Sequence, residues 1–206
     1  MPNWTDNYIE ISGTPEKVEE LIEAVTTVQT INDTEVDAID LTAAKPLPKP
    51  FKEMHSGHRT IDGVAYKQWF EDDDGNVTPL LDLVKQNLLE DYGDYDPIDW
   101  QYNNWGTKWG DCDSEILDDK IMDGKRELVI TFQSAWGEPF MLLNDIANKF
   151  DVTIRNTWCI ELNEGEGITE YPWSQQKTES IYDTYKTQRE TMKAAIAKTF
   201  SEAENG

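Results

Sequence analysis

The sequence predicts an α+β domain in which one antiparallel sheet carries helices on a single face. Two observations predict it: segments that alternate like strands are interleaved with segments of helical periodicity, and their order along the chain is β-α-β-β-α-β. The predicted strands lie at 7–12, about 104–116, 127–135 and 152–162, and the predicted helices at 14–28 and 139–150. This order is that of the ferredoxin-like fold, with an insertion at about 45–98.

The first strand and helix have clear boundaries. The segment NYIEIS alternates polar and apolar residues as a half-buried strand does, and Gly13 ends it. Thr14 is a suitable helix N-cap, and Pro15 suits the first helical position. Apolar residues then recur at helical spacing: Val18, Leu21, Ile22, Val25 and Val28.

The insertion begins with the segment KPLPKPF at 45–51, where three prolines argue against a helix. We expect residues 52–78 to be irregular apart from a hairpin turn at EDDDGN. Thr78-Pro79 repeats the cap-and-proline pattern and predicts a helix that stops near Gly93.

The second half of the core contains the aromatic segment DWQYNNWGTKWGDCDSEIL, which predicts the strand at about 104–116. Residues two apart on a strand share a face. That spacing groups two sets: Trp105, Thr107 and Trp109, and Asp111, Asp113 and Glu115. Asp123-Gly124 then predicts a hairpin turn before the strand ELVITFQSAW and the helix PFMLLNDIANKF.

A long helix from about Ser174 to Glu202 is expected to close the chain, because apolar residues recur along it at helical spacing. The predicted organisation is therefore a ferredoxin-like domain at 1–170 and a C-terminal helical extension at 171–206.

The charge limits the possible partners. The chain has 41 acidic and 18 basic residues, a formal net charge of −23, which opposes direct binding to nucleic-acid phosphates and anionic membranes and favours basic proteins. Eight Trp, eight Tyr and six Phe make it too aromatic for a disordered acidic chain. Because it has no long apolar run, no signal-peptide pattern and only two cysteines, the sequence predicts a cytoplasmic protein.

The acids are densest at 90–119, where ten of them accompany one base, Lys108. Same-face residues of a strand lie about 6.8 Å apart, so carboxylates of the predicted strand would be spaced much like backbone phosphates. This predicts a surface that competes for the basic groove of a nucleic-acid-binding protein. The predicted partner-binding residues are Glu90, Asp91, Asp94, Asp96, Asp99, Trp105, Trp109, Asp111, Asp113, Glu115, Asp118 and Asp119. The alternative interpretation is a solvated face that only aids solubility.

No catalytic or metal site is predicted, and we expect no cofactor. The motifs G-x-S-x-G, the P-loop, G-x-G-x-x-G and H-E-x-x-H are absent from the sequence. His55 and His58 have the spacing of some zinc ligands, but no CxxC pair completes a set of four, so we expect them to be loop histidines. Trp105, Trp109 and Trp136 could form a stacking platform for a ligand, although packing is the favoured interpretation.

Four segments occur in order along the chain: MPNW, KPLPKPF, NNWGTKWG and FQSAWGEP. Together, over roughly residues 1–165, they resemble the YubB-type ferredoxin-like family of small proteins from phages and mobile plasmids. The resemblance implies a ferredoxin-like core and a mobile-element origin, and it implies no activity because the family is defined by fold and motif. The chain departs from the family pattern at Thr5, where cysteine is common, and after Gly165.

These observations favour a non-enzymatic, acidic interaction protein of phage type in the host bacterial cytoplasm. It would bind and inhibit a host protein with a basic surface, such as a defence or DNA-processing factor, by nucleic-acid mimicry. Two alternatives stay open: an assembly protein that forms oligomers through the C-terminal helix, and an enzyme with a pocket against the sheet. The sequence does not predict the oligomeric state.

Overall fold

A computed structural model describes residues 3–31, 34–72, 74–174, 177 and 187. The chain divides into two compact units, Met1–Tyr171 and Pro172–Gly206. The predicted helix from about 174 to 202 lies almost wholly outside the described residues, and every strand and helix named below belongs to the first unit. Among the described residues, no helix is long and apolar enough to cross a membrane.

A five-stranded antiparallel sheet forms the centre of the first unit. Its strands are β1 (Trp4–Gly13), β7 (Cys112–Met122), β8 (Lys125–Ala135), β9 (Thr153–Ile160) and β10 (Gly165–Tyr171), and they lie side by side in the order β10-β9-β1-β8-β7. Helices α1 (Pro15–Val25) and α5 (Phe140–Phe150) pack against one face. The core between them includes Ile9, Ile11, Val18, Leu21, Leu128, Ile130, Phe132, Leu142, Leu143, Ile146 and Ile154. The predicted α+β class is confirmed.

Helix α1 begins as predicted, because the Thr14 hydroxyl accepts a hydrogen bond from the Lys17 amide and Pro15 lies in the first turn. The predicted end at residue 28 is wrong. The helix ends three residues earlier, at Val25, and strand β2 (Thr26–Ile31) follows and pairs with β3 (Thr34–Ile39) in a two-stranded ribbon. The β-branched residues at the start of β2 lose side-chain freedom in a helix but fit a strand.

The insertion is more ordered than the sequence predicts. After a short 3-10 turn (Leu41–Ala44), it contains helix α2 (Lys49–Lys52), strands β4 (Met54–Ile61), β5 (Val64–Glu71) and β6 (Val77–Pro79), and helix α3 (Asp82–Tyr92). The three strands form their own antiparallel sheet in the order β4-β5-β6. The expectation that the proline segment contains no helix is wrong, because Pro50 lies in the first turn of α2, where its missing N–H has no intrahelical acceptor.

Two further predictions about the insertion have opposite outcomes. The turn at EDDDGN is confirmed: the Asp72 carboxylate accepts hydrogen bonds from the Asn76 backbone amide at 2.8 Å and from its side-chain amide at 2.9 Å. The helix start at Thr78-Pro79 is wrong, because both residues belong to β6 and α3 begins at Asp82. The helix ends at the expected place, where Gly93 has a φ of +77°.

The predicted strand at about 104–116 is wrong in its first half. Pro97–Trp105 is helix α4, capped by the Asp96 carboxylate, which accepts hydrogen bonds from two backbone amides of the first turn. The helix ends at Gly106, which has a φ of +88°. Asp96-Pro97 is the same cap-and-proline signal as Thr14-Pro15, and here it outweighs the aromatic alternation. Trp105, Thr107 and Trp109 therefore share no strand face.

The later elements lie close to their predicted positions. Asp123 and Gly124 have φ values of +51° and +79°, as the predicted two-residue hairpin turn between β7 and β8 requires. Strands β8 and β9 and helix α5 are each within about three residues of the predicted bounds. Strand β10 was not predicted, and it extends the sheet beyond β9.

Candidate functional site

The main sheet has one face covered by α1 and α5 and an opposite face that we call the open face, formed by the alternate residues of its five strands that point away from those helices. Along β1, the residues turned toward the helices are buried, whereas Asp6, Tyr8 and Glu10 are exposed. The strand pairings align Tyr8 with Thr131 on β8 and Thr157 on β9, so the alternation continues across the sheet. The open face is therefore one continuous surface.

The open face is predominantly acidic. Seven exposed carboxylates belong to it: Asp6, Glu10, Glu115, Asp118, Glu127, Glu166 and Glu170. Three cations on the same strands share the face: Lys120, Lys125 and Arg155. Arg155 pairs with Glu10 at 2.8 Å, and Lys120 lies 3.1 Å from Glu127. An excess of negative charge therefore remains after the local ion pairs are formed.

One end of the open face carries three stacked tryptophans, which we call the tryptophan stack. Trp4 comes from β1, Trp109 from the loop before β7, and Trp136 from the residue after β8. The ring centroids of Trp4 and Trp109 are 5.9 Å apart with planes at 28°, and those of Trp109 and Trp136 are 6.4 Å apart with planes at 15°. The Lys108 ammonium lies 4.5 Å from the Trp109 centroid and 5.7 Å from that of Trp136, within the range of a cation–π contact.

Trp136 is held in an unfavourable backbone conformation while its ring is exposed. Its φ is +64°, in the left-handed region that bulky residues avoid, and 46% of its surface is accessible. Its amide donates a hydrogen bond to the Asn3 carbonyl at 2.8 Å, which fixes this geometry. Such strain costs on the order of 1–3 kcal/mol, and it is retained mostly at functional positions.

The acids predicted to form an evenly spaced row do not form one. Asp111 is half-buried and precedes β7, and its carboxylate accepts hydrogen bonds from the Leu41 amide and the Ser114 hydroxyl. Loss of solvent, with smaller contributions from the Asp40 and Asp113 carboxylates, raises the pKa of Asp111 to about 6 even though these two hydrogen bonds lower it. Asp113 is exposed at a bulge with a φ of +55°.

Two bulges in β7 separate the remaining acids of that strand. One precedes Glu115 and the other precedes Asp118, and each shift of register changes which residues share a face. Glu115 and Asp118 lie on the open face, whereas Asp119 lies on the helix side. There Arg126 binds both Asp119 oxygens, at 2.8 and 2.7 Å, and also pairs with Glu19 of α1. The prediction of one row at phosphate-like spacing is therefore wrong.

The other predicted contact residues are divided between solvent and local structure. Glu90 and Asp91 are exposed on α3, and Asp99 is half-buried in the first turn of α4. Asp94 accepts a hydrogen bond from the Asn103 side chain at 2.8 Å, and Asp96 caps α4 and accepts one from Gln68 at 2.6 Å. Trp105 is 5% exposed, and its indole N–H donates to the Lys45 carbonyl at 2.9 Å, so the packing interpretation holds for this tryptophan. Of the two predicted tryptophans, only Trp109 is available, at 37% exposure.

A cleft of about 610 Å³ lies between β3 and the start of β7. The carboxylates of Asp37, Asp40, Asp111 and Asp113 line it. Burial and the neighbouring carboxylates raise the pKa of the Cys112 thiol, which opposes its use as a nucleophile. Within the described part of the chain, no group of His, Cys, Asp and Glu has the arrangement of a metal site.

The two histidines are on a strand, so the expectation of loop histidines is wrong. His55 and His58 both belong to β4. The His55 ring stacks on Trp69 at a centroid distance of 5.9 Å, and Arg59 lies over the same tryptophan at 5.5 Å.

A polar network beneath the start of α5 was not predicted at all. The Glu138 carboxylate accepts hydrogen bonds from Asn156 at 3.0 Å, Thr169 at 2.7 Å and Tyr171 at 3.1 Å. Burial, followed by the Glu138 charge, raises the pKa of the Tyr171 hydroxyl above its usual range. The network ties β9 and β10 to the loop that leads into α5, and polar residues at buried strand positions, such as Asn156, were its only sequence signal.

No protein-family model matches the chain, and no curated protein matches it. A crystal structure of protein api92 from Yersinia pseudotuberculosis, which carries the family model DUF1281, is similar over 83% of this chain and 94% of that one, with a TM-score of 0.47 and 13% identity.

Proposed function

We propose that this protein is a non-enzymatic interaction protein that binds a basic surface of another protein on its open face. The observation that carries the proposal is the combination of seven carboxylates with an exposed tryptophan stack on that face. Charge of one sign steers an oppositely charged partner to the surface, and exposed aromatic rings supply the apolar contact that holds it. Glu115, Asp118 and Trp109 are the predicted contact residues that the proposal retains.

We also propose, as the more specific statement of the fold, that the main sheet is ferredoxin-like. The four strands of the predicted core are, in chain order, β1, β7, β8 and β9. In the sheet they lie side by side as β9-β1-β8-β7, that is, in the order fourth, first, third, second. This order, with α1 and α5 on one face, supports the assignment. The resemblance of four sequence segments to the YubB-type family supports a mobile-element origin. A host protein with a basic groove, such as a defence or DNA-processing factor, then becomes the expected target of inhibition.

The form of polyanion mimicry differs from the one predicted. The carboxylates at 111, 113 and 115 provide no repeated spacing, so any competition with nucleic acid would depend on the summed charge of the open face. The alternative of assembly through the C-terminal helix concerns residues outside the described part of the chain, and no described contact favours it.

A matched pair of charge variants tests the proposal. The first replaces Glu115, Glu166 and Glu170 on the open face by glutamine, and the second replaces the exposed Glu20, Glu23 and Glu35, which lie on α1 and β3. Both variants change the net charge by the same amount. The readout is the affinity for a lysine- and arginine-rich peptide at low and physiological salt, measured by fluorescence anisotropy.

We expect the open-face variant to lose at least about tenfold in affinity at low salt and to show a shallower salt dependence, because it removes charge from the binding surface itself. The control variant should lose much less. Equal losses in the two variants would show that only the total charge matters and would refute binding at the open face.

A further inference from the structure

We propose that the tryptophan stack is the anchor site of the open face, and that it takes an arginine guanidinium of the partner in the position occupied by the Lys108 ammonium in the free protein. This inference rests on the proposed function, because it names the chemistry by which a basic partner is held. It goes beyond that proposal because it assigns an arginine side chain of the partner to the tryptophan stack.

The first argument is the position of Lys108. It is the single base among the ten acids of 90–119. Its ammonium lies over the rings of Trp109 and Trp136. The ring faces are therefore accessible to a cation in the folded protein. A residue of the chain itself shows the geometry that an incoming cation would adopt.

The second argument is the backbone of Trp136. Glycine would adopt its φ of +64° without strain, whereas tryptophan adopts it at a cost and leaves 46% of its surface exposed. Stacking on Trp109 explains only one side of this ring, because much of the rest contacts solvent. A binding role does explain it, because exposed aromatic residues with fixed orientation make effective anchors.

The third argument concerns charge and shape. Acids flank the stack: Asp6 is two residues from Trp4 on the same strand face, and the Glu161 carboxylate accepts a hydrogen bond from the Trp4 amide at 3.1 Å. These acids favour a cation and oppose the phosphates of a nucleic acid. Among cations, guanidinium is planar and weakly hydrated, so it stacks on a flat ring more readily than the compact lysine ammonium does.

The test uses two repeat peptides of equal length and charge, arginine–glycine and lysine–glycine, with binding followed by anisotropy and by tryptophan fluorescence. Trp136→Gly removes the exposed ring and suits the local backbone, so it leaves the fold intact. Tyr95→Ala is the matched control, because Tyr95 has a similar exposure of 43% and belongs to the segment between α3 and α4 rather than to a strand of the main sheet. A single-stranded oligonucleotide is the third probe.

We expect the parent protein to prefer the arginine peptide, and Trp136→Gly to lose about fivefold or more of that affinity while Tyr95→Ala loses little. A second pair of variants tests whether the Lys108 ammonium occupies the site of the incoming guanidinium. Lys108→Met should bind the arginine peptide about threefold more tightly than Lys125→Met, which removes the same charge from the open face away from the stack.

The outcomes separate the two proposals. If Trp136→Gly binds the arginine peptide as tightly as the parent while the Glu115, Glu166 and Glu170 variant binds it weakly, the anchor is refuted and the acidic docking face stands. If neither peptide binds the parent, both proposals are refuted. Oligonucleotide binding that Trp136→Gly abolishes would refute the guanidinium assignment in favour of a base-stacking site.

Discussion

Replacement of Asp111 by asparagine should stabilise the protein near neutral pH and have little effect near pH 4. Asp111 joins the start of β7 to the 3-10 turn after β3, through hydrogen bonds from the Leu41 amide and the Ser114 hydroxyl. Asparagine preserves both contacts, because its carbonyl can accept from the amide and its NH₂ can donate to the hydroxyl. Only the charge and its desolvation are removed.

The magnitude follows from the pKa of Asp111. Loss of solvent, with smaller contributions from Asp40 and Asp113, raises that pKa from 3.8 in the unfolded chain to about 6 in the folded protein. The folded state therefore holds the proton more tightly, so the contribution of Asp111 to the free energy of unfolding falls as the pH rises from about 4 to about 6. At 1.36 kcal/mol per pKa unit, the penalty above pH 6 is up to about 3 kcal/mol.

The assay is urea denaturation of the parent and of Asp111→Asn near pH 4 and near pH 7.5. The difference between the two proteins should be close to zero at the lower pH and up to about 3 kcal/mol in favour of the variant at the higher pH. Asp123→Asn is the control, because Asp123 is an exposed carboxylate in a left-handed conformation that asparagine also adopts, and it should shift stability by less than about 0.5 kcal/mol. A gain for Asp111→Asn that is the same at both pH values, or a loss near pH 7.5, would refute the reasoning.

Two other changes test the packing around the main sheet, both by the free energy of unfolding in urea. Glu138→Ala should lower the free energy of unfolding by about 2–4 kcal/mol, because it removes the acceptor of three donors, including the buried Tyr171 hydroxyl. Glu138→Gln should lower it by less. Similar small losses for both variants would refute the structural role of the network. Gly106→Ala should lower the free energy of unfolding more than Gly93→Ala does. Both glycines have positive φ, but only at Gly106 would a new Cβ lie 2.8 Å from the Phe140 ring. Equal losses would show that the backbone conformation alone sets the cost.

The elements that could be predicted have a local stereochemical cause. Thr14-Pro15 starts a helix and Asp123-Gly124 makes a hairpin turn because each pair restricts its own backbone, and the rest of the fold does not alter that restriction. The errors occur where two local signals compete. Val28 continues the helical spacing of α1 but lies in a β-branched run, and Asp96-Pro97 starts a helix inside an aromatic segment that alternates like a strand.

The candidate site was predictable in composition but not in geometry. The sequence grouped Trp105, Trp109 and Trp136 as a possible platform while favouring packing, and the structure buries Trp105. Trp4 comes from a distant segment and joins Trp109 and Trp136 only through strand pairing. The two bulges in β7 leave no clear signal in the sequence, and they decide that Asp118 faces the open side whereas Asp119 faces α1. An inserted residue shifts the alternation of side chains between the two faces, and for this reason the predicted row of carboxylates does not form.

The distribution of charge also bears on the interpretation that the acids only aid solubility. On the helix side, Arg126 pairs with both Asp119 and Glu19, so the fold can arrange its few cations against its acids. On the open face, the acids outnumber the cations of the strands, and a tryptophan in a strained conformation lies exposed at one end. Solubility would be served by the carboxylates alone and would be lowered by exposed indole rings. A surface that combines both features fits the proposed partner, which the charge would attract and the rings would hold.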